Sequence, residues 1–187
     1  MLRYKPSNTT AAVQGDKTIS DEMVAWLTID DTDIDYPVMQ AADNVKYLNT
    51  DPFGDYSLAG SIYLDSRNHP DFSDSYSLVY GHHMEYGRMF GTLDSFLDEQ
   101  YLSRHRKGTL LIGKNAEKSY SLQIFAACRA NAKDKAVFDP GQGNIRQFII
   151  QNANIRVNDK YRLLALSTCA EGDTGSRIIV FCYIIDE

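Results

Sequence analysis

Two apolar stretches near the C-terminus decide the fold: YRLLALST at residues 161–168 and RIIVFCYII at residues 177–185. Both are rich in the aliphatic and aromatic residues that suit a pleated surface, so each predicts a β-strand. The loop between them contains Gly172 and Gly175. Glycines of this kind are typical of the connections that bound strands. The two stretches therefore predict the two strongest strands of a β-rich protein.

Further strands are predicted outward from this pair, where β-branched and aromatic residues lie between turn residues. They cover residues 24–29, 34–39, 61–64, 77–81, 109–112 and 119–127. Short helices are expected in the connections, at residues 43–48 with Asp43 as the cap, and at residues 88–97 and 144–152 by helical spacing. About eight strands with short helices favour a mainly β fold, a closed or nearly closed barrel without unpaired edges.

Length and composition predict a single soluble domain. The chain has 187 residues, of which 43% are hydrophobic and 24% charged, with a formal net charge of −6. This charge argues against a general nucleic-acid-binding protein. We expect residues 1–18 to form a polar lead-in and residues 19–187 to form one domain. No apolar run approaches the roughly 20 residues that a membrane helix needs.

No metal or other cofactor is expected. The three cysteines, Cys128, Cys169 and Cys182, are odd in number and widely spaced, unlike a disulfide framework or a zinc site. The four histidines lack the short regular spacing of zinc ligands. The aspartate-rich segment 30–35 lacks the glycine and the glutamate of a calcium-binding EF-hand loop.

Three side chains at predicted strand ends could carry out acyl transfer through a thiol. Cys169 follows a strand and has polar neighbours, whereas Cys128 and Cys182 lie inside apolar strands and are expected only to pack. His82 follows the strand that ends in Tyr80-Gly81 and could exchange protons with a thiol near neutral pH. Its neighbour His83 competes for this role, because adjacent strand residues face opposite sides.

Arg177 opens the last predicted strand, and two interpretations of it are open. It could form a surface ion pair with Asp173 or Glu171, worth at most about 1 kcal/mol. It could instead be a fixed cation beside the thiol, where it would favour the thiolate and donate hydrogen bonds to an oxyanion.

Taken together, the motifs resemble those of the sortases, the cysteine transpeptidases of Gram-positive cell surfaces, and most closely class B sortases. The resemblance covers most of the chain, from residue 26 to residue 185. It rests on Tyr80-Gly81-His82, on Leu166-Ser167-Thr168-Cys169 with Arg177, on residues 34–38, on Asp43-Asn44 with Tyr47-Leu48, and on Gly87 with Met89-Phe90.

The resemblance implies a sortase-type eight-stranded β-barrel, with an N-terminal helix and a helix inserted between strands 6 and 7. It makes Cys169 the nucleophile, His82 rather than His83 the acid/base, and Arg177 the group that stabilises the oxyanion. It also assigns substrate binding to Ser167, Thr168, Asn44 and Leu48. Class B enzymes often have an acidic residue directly after the cysteine, but here that position is Ala170.

The implied activity is cleavage of a C-terminal sorting signal after a threonine. A thioacyl-enzyme forms, and the surface protein is then transferred to an amine of a peptidoglycan precursor. An alternative is a pilin-polymerising sortase that uses a pilin lysine as the acceptor. A second alternative is a non-catalytic β-barrel interaction module. The resemblance further implies that an N-terminal membrane anchor, absent from this sequence, tethers the enzyme outside a Gram-positive cell, and that Met1 is not the natural start.

Overall fold

The computed structural model describes residues 5–6, 17–142, 144–170 and 173–186, without the side chains of residues 142, 169, 170, 173 and 174. Its strands close into a barrel, which confirms the predicted mainly β fold. The strands are β1 Met23–Ile29, β2 Asp35–Met39, β3 Ile62–Leu64, β4 Tyr76–Tyr80, β5 Lys107–Ile112, β6 Lys118–Asn131, β7 Arg162–Ala170 and β8 Asp173–Asp186.

The order around the barrel is β1-β2-β3-β4-β7-β8-β6-β5, and β5 pairs with β1 to complete the ring. The β2–β3 and β4–β7 pairs are parallel, and the remaining pairs are antiparallel. The β4–β7 pair brings the end of β4 beside the end of β7, with Tyr80 registered against Ser167. Strand β8 lies between β7 and β6 and pairs with both.

The residues of β4, β6, β7 and β8 alternate between two hydrophobic clusters, as period-two alternation requires. One cluster fills the barrel; on β7 and β8 it includes Leu164, Leu166, Ile178 and Val180. The other covers the outer face of β4, β6, β7 and β8, where the residues between these positions pack under helices. Both faces of β7 and β8 are therefore buried, which explains why their sequences are apolar almost without interruption.

In the described part of the chain, three α-helices lie in the connections: α1 Glu99–Arg104, α2 Lys135–Phe138 and α3 Ile145–Ala153. Helix α3 lies between β6 and β7 and agrees with the helix predicted there. It packs on the outer face through Ile145, Phe148 and Ile149. Helix α1 was not predicted; its N-terminus is capped by Asp98, whose side chain accepts a hydrogen bond from the Tyr101 amide.

Two predicted helices differ from the structure. The segment 88–97 forms a 3-10 helix at Gly91–Leu97, and the segment 43–48 is helical only at Lys46–Leu48. Asp43 still acts as expected, because its Oδ1 accepts hydrogen bonds from the amides of Val45 and Lys46. The turn is tight enough that only three residues reach helical geometry.

The lead-in predicted at residues 1–18 falls mostly on residues 1–4 and 7–16, which lie outside the described residues, and no N-terminal helix is present in the described residues 5–6 and 17–22. Residues 17–22 contain only a turn before β1. Within the described part of the chain, no helix is long and apolar enough to cross a membrane.

Candidate active site

A cavity of about 280 Å³ opens where β4, β7 and β8 meet. Its lining brings together the predicted site residues other than Cys169: Asn44, Leu48, His82, Ser167, Thr168 and Arg177. Tyr63, Tyr80, Gly81, Ala132 and Phe138 complete the lining. The side chain of Cys169 lies outside the described part, so its position in the site is known only through its backbone.

The β7–β8 ladder sets the backbone of Cys169 directly opposite Arg177. On its other side, Arg177 is registered with Ala130 of β6. Residues directly opposite each other in an antiparallel pair have Cβ atoms about 4.5–5.5 Å apart, a distance that the hydrogen-bond register fixes. The Arg177 Nη1 donates to the carbonyl of Ser176 at 2.9 Å. The cation is thus held close to the end of β7.

His82 is held beside β7 by its backbone neighbours. The Gly81 amide donates to the carbonyl of Ser167 at 3.1 Å, and the Phe90 amide donates to the carbonyl of His82 at 3.0 Å. The imidazole Nε2 lies 2.7 Å from the carbonyl oxygen of Leu48. Because a carbonyl oxygen only accepts, Nε2 carries the hydrogen of this bond. The other ring nitrogen, Nδ1, therefore remains for proton exchange when the imidazole is neutral.

Glycine is needed immediately before His82. A Cβ at position 81 would lie 2.8 Å from the ring of Phe90 and would also collide with Ile62. Both of these side chains belong to the buried core. The tight contact lets the chain leave β4 close to the barrel and turn His82 toward the cavity.

The second histidine has different surroundings. The Nε2 of His83 lies 3.1 Å from the Oδ2 of Asp94, and His83 lines a separate cavity with residues 84–87 and Gly91. The residue pattern left the two histidines open and the family resemblance favoured His82; the structure places them in two separate cavities. Only His82 lines the same cavity as Ser167 and Arg177.

Ser167 lines the cavity and carries a buried hydroxyl. Its side chain is 1% exposed, and within the described residues its Oγ has no hydrogen-bond partner. A buried hydroxyl without a partner costs roughly 1–3 kcal/mol.

Asn44 lines the same cavity and is itself held firmly. Its Nδ2 donates to Asp65 at 3.1 Å, and its Oδ1 accepts from the Ser66 amide at 2.7 Å. One amide hydrogen of Asn44 remains available to a ligand. Leu48 contributes both its side chain to the wall and its carbonyl to His82.

Sequence reasoning did not assign Tyr63, Tyr80, Ala132 and Phe138 to the site. Tyr80 was within reach of prediction, since it directly precedes Gly81-His82. Phe138 had no such signal, because it reaches the cavity from α2 only through tertiary packing. Among the described residues, no three His, Cys, Asp or Glu side chains gather as metal ligands.

The other two cysteines are buried and unreactive in character. Burial raises the pKa of Cys128 to about 11 and raises that of Cys182 further. Since the thiolate is the nucleophilic form, neither thiol is suited to catalysis at neutral pH. Cys169 is left as the candidate nucleophile.

The family model of the sortase domain matches residues 27–185, nearly the whole barrel. The chain belongs to the sortase family. It is 33% identical to sortase B of Listeria monocytogenes over 160 residues and 31% identical to sortase B of Staphylococcus aureus over 179 residues. These matches cover 81% and 89% of the chain, which spans 64% of the Listeria protein and 72% of the Staphylococcus protein.

Solved sortase structures share the fold. A Streptococcus pyogenes class B sortase involved in pilus biogenesis superimposes with a TM-score of 0.78 at 35% identity, covering 89% of this chain and 94% of that one. The Staphylococcus aureus sortase B–substrate complex gives a TM-score of 0.75 at 29% identity, covering 90% and 82%. The predicted resemblance to class B sortases is confirmed.

Proposed function

We propose that this sortase is a class B-like cysteine transpeptidase that joins surface proteins to an amine. The proposal is carried by one observation: His82 and Arg177 line a single cavity, and the backbone of Cys169 lies directly opposite Arg177. A nucleophile, an acid/base and a cation are the groups that acyl transfer through a thioester needs. A non-catalytic module would have no need to assemble them.

In the first half-reaction the Cys169 thiolate attacks the carbonyl carbon of a threonine in the sorting signal. Negative charge develops on the carbonyl oxygen, where the guanidinium of Arg177 stabilises it. Removal of one such donor typically costs about 100- to 1,000-fold in rate. As the C–N bond breaks, His82 gives a proton to the leaving amine, and a thioester to Cys169 remains.

In the second half-reaction an amine attacks the thioester carbonyl. His82 accepts the proton that the attacking nitrogen loses, the C–S bond breaks, and the thiolate is regenerated as the new amide forms. The hydrogen bond from Nε2 to the Leu48 carbonyl keeps the imidazole in one orientation through both steps. Nδ1 is then the nitrogen that carries the proton.

The sorting signal would bind in the cavity between Ser167 and Thr168 on one side and Asn44 and Leu48 on the other. The placement is supported by the lining of the cavity, to which all four residues belong. Sortases are Gram-positive cell-surface enzymes, and the proposed location is the outer face of the cell membrane. The proposed acceptor is an amine of a peptidoglycan precursor.

A second candidate function is pilus assembly, with a pilin lysine as the acceptor. It is favoured by the similarity to the Streptococcus pyogenes class B sortase, which is involved in pilus biogenesis. The two functions share every step except the identity of the attacking amine.

Both functions can be tested with a library of fluorogenic pentapeptide sorting signals, assayed with triglycine, with a lysine peptide or without an acceptor. We expect cleavage by the wild type, a transfer product with one amine, and no cleavage by Cys169→Ala. Persistent cleavage by Cys169→Ala would show that the nucleophile is wrongly assigned. Transfer to the lysine peptide alone would favour pilus assembly over anchoring.

A further inference from the structure

Asp65 is a fully buried carboxylate placed directly after β3, just behind the cavity. Its side chain is 0% exposed, and it does not line the cavity itself. Buried aspartates are rare unless they are paired, because desolvating a charge is costly. A charge kept at this position therefore calls for an explanation beyond packing.

Both oxygens of Asp65 are fully engaged. Oδ1 accepts from the backbone amide and the Nε of Arg67, at 3.0 and 2.9 Å. Oδ2 accepts from the Nη2 of Arg67 at 2.8 Å, from the hydroxyl of Tyr80 at 2.9 Å and from the Nδ2 of Asn44 at 3.1 Å. Tyr80 and Asn44 both line the cavity. One carboxylate thus fixes two of its walls.

Arg67 extends the same network to a third part of the site. Its Nη2 also donates to the carbonyl of Phe138 at 2.7 Å. Phe138 ends α2 and lines the cavity from the segment between β6 and β7. Arg67 donates hydrogen bonds to Asp65 through two nitrogens and also reaches Phe138. Only the planar, forked guanidinium of arginine can make both contacts at once.

The carboxylate stays ionised despite its burial. Burial alone would raise the pKa of Asp65, but the hydrogen bonds and charge of Arg67, together with the Tyr80 hydroxyl, bring that pKa below its usual value. Asp65 therefore acts as an acceptor only, and all of its partners are donors. This arrangement fixes the direction of every hydrogen bond in the network.

We propose that Asp65 is a positioning residue for the substrate peptide: it holds Asn44 and Tyr80 directly, and Phe138 through Arg67, so that the cavity walls keep one spacing. This assignment rests on the proposed function, since the peptide is the sorting signal. Asp65 itself touches neither the peptide nor the reacting atoms. Its role is to preorganise the groove, which lowers the cost of ordering side chains when the peptide binds.

The main test is Asp65→Asn, assayed for cleavage of the preferred sorting-signal peptide. The amide replaces an acceptor by a donor, so it opposes at least one of its present donors. We expect KM to rise at least tenfold while kcat stays within about threefold. A purely structural role would instead reduce the fraction of folded enzyme, which lowers apparent kcat and leaves KM unchanged. That result would overturn the proposal.

Two further variants keep the test decisive should Asp65→Asn fail to fold. Tyr80→Phe keeps the ring that lines the cavity and removes only the bond to Asp65, and Arg67→Lys keeps the charge and removes the fork. We expect each to raise KM about threefold or more. Unchanged KM in both variants would refute the proposal.

Asp139→Asn is the matched control. It removes a carboxylate that meets the same arginine, at 3.4 Å and on the exposed side of the guanidinium. We expect kcat and KM within twofold of the wild type. A rise in KM as large as that of Asp65→Asn would show that the buried carboxylate is not what positions Arg67.

The outcome also separates this proposal from the proposed function. If the wild type shows no Cys169-dependent cleavage of any sorting signal, the function fails and the role of Asp65 fails with it. If the wild type cleaves and the variants of Asp65, Tyr80 and Arg67 retain its KM, only the positioning role is refuted.

Discussion

At the scale of single residues, the site depends on which partner holds each histidine. The imidazole of His82 is oriented by a backbone carbonyl, that of Leu48, whereas His83 is oriented by the carboxylate of Asp94. A carbonyl fixes one ring nitrogen and stays neutral. His82 can therefore change its protonation at the other nitrogen without losing its anchor.

The pair His82→Ala and His83→Ala tests this distinction. We expect His82→Ala to lower kcat by about 100- to 10,000-fold, the usual contribution of a general acid/base. His83→Ala should change kcat by less than about fivefold, because it disturbs only the neighbouring loop. Steady-state kinetics of peptide cleavage provides the measurement, and equal losses in both variants would contradict the assignment of His82.

The three cysteines should differ in their reactivity. In the native protein we expect Cys169, alone among the three cysteines, to react quickly with a small alkylating agent at pH 7. After denaturation we expect all three to react. Cys128 and Cys182 are protected by burial and by their raised pKa values. Mass spectrometry of the alkylated protein identifies the sites. Rapid native modification that persists in Cys169→Ala would show that a buried thiol is accessible.

At the scale of elements, the short turn at Lys46–Leu48 joins the cavity lining to His82, the proposed acid/base, through the carbonyl of Leu48. Gly60 packs against this turn with a positive φ of 57°. A Cβ at Gly60 would come within 2.5 Å of the Leu48 carbonyl oxygen, the atom that anchors His82. The glycine thus permits the close approach that gives His82 its acceptor.

We expect Gly60→Ala to lower the free energy of unfolding by about 1–2 kcal/mol or more, from left-handed strain alone, and to reduce kcat by displacing the Leu48 carbonyl. Urea denaturation and peptide cleavage measure the two effects.

Gly54→Ala is the matched control. Gly54 also has positive φ, at 93°, but open space surrounds its Cβ position. We expect a comparable loss of stability from the strain and little change in kcat; an equal loss of kcat in both variants would contradict the link to His82.

Sequence patterns predicted the strands better than the connections. Strands β7 and β8 are apolar on both faces because helices cover the barrel there, and this made them easy to recognise. The helix at residues 88–97 was predicted too long. Its apolar residues follow helical spacing, but residues 88–90 lie outside it, with Met89 at a positive φ of 54°.

The same contrast holds for the site. Motifs led to His82, Cys169 and Arg177, since each stands at a strand end with recognisable neighbours. Asp65 and Phe138 gave no comparable signal. Their importance comes from a network that joins residues 44, 67, 80 and 138, and only tertiary structure brings these together.

At the scale of the whole molecule, buried and half-buried carboxylates make stability depend on pH. Asp35 joins the lead-in to the barrel, because its Oδ1 accepts from Trp26 Nε1 at 2.6 Å, Thr28 Oγ1 at 2.9 Å and Lys5 Nζ at 2.9 Å. Burial alone would raise the pKa of Asp35, but these donors lower it below its usual value of 3.8. The folded state therefore binds the proton more weakly than the unfolded state.

A lowered folded-state pKa contributes stability that is present above the unfolded pKa, near 3.8, and is lost as the pH falls through the folded pKa. We expect the free energy of unfolding to decrease below about pH 4. In Asp35→Asn we expect a lower free energy of unfolding at pH 7 and a smaller decrease of that free energy in acid. Urea denaturation between pH 7 and pH 2.5 measures both.

Asp159→Asn, at a carboxyl that is 87% exposed, is the control, and its free energy of unfolding should depend on pH as that of the wild type does. Identical pH dependence in Asp35→Asn and the wild type would contradict the prediction.

The position of β8 in the barrel has a consequence for the synthesis of the protein. Strand β8 is the last of the barrel strands in the chain, yet it lies between β6 and β7 and closes the ring. While residues 173–186 are still inside the ribosome, β6 and β7 each keep an unpaired edge, and Arg177 is not yet opposite Cys169. The nascent chain thus carries its thiol without the means to use it. The proposed acyl transfer can begin only once β8 has paired with β7, so the order of the strands delays this chemistry until the barrel is complete.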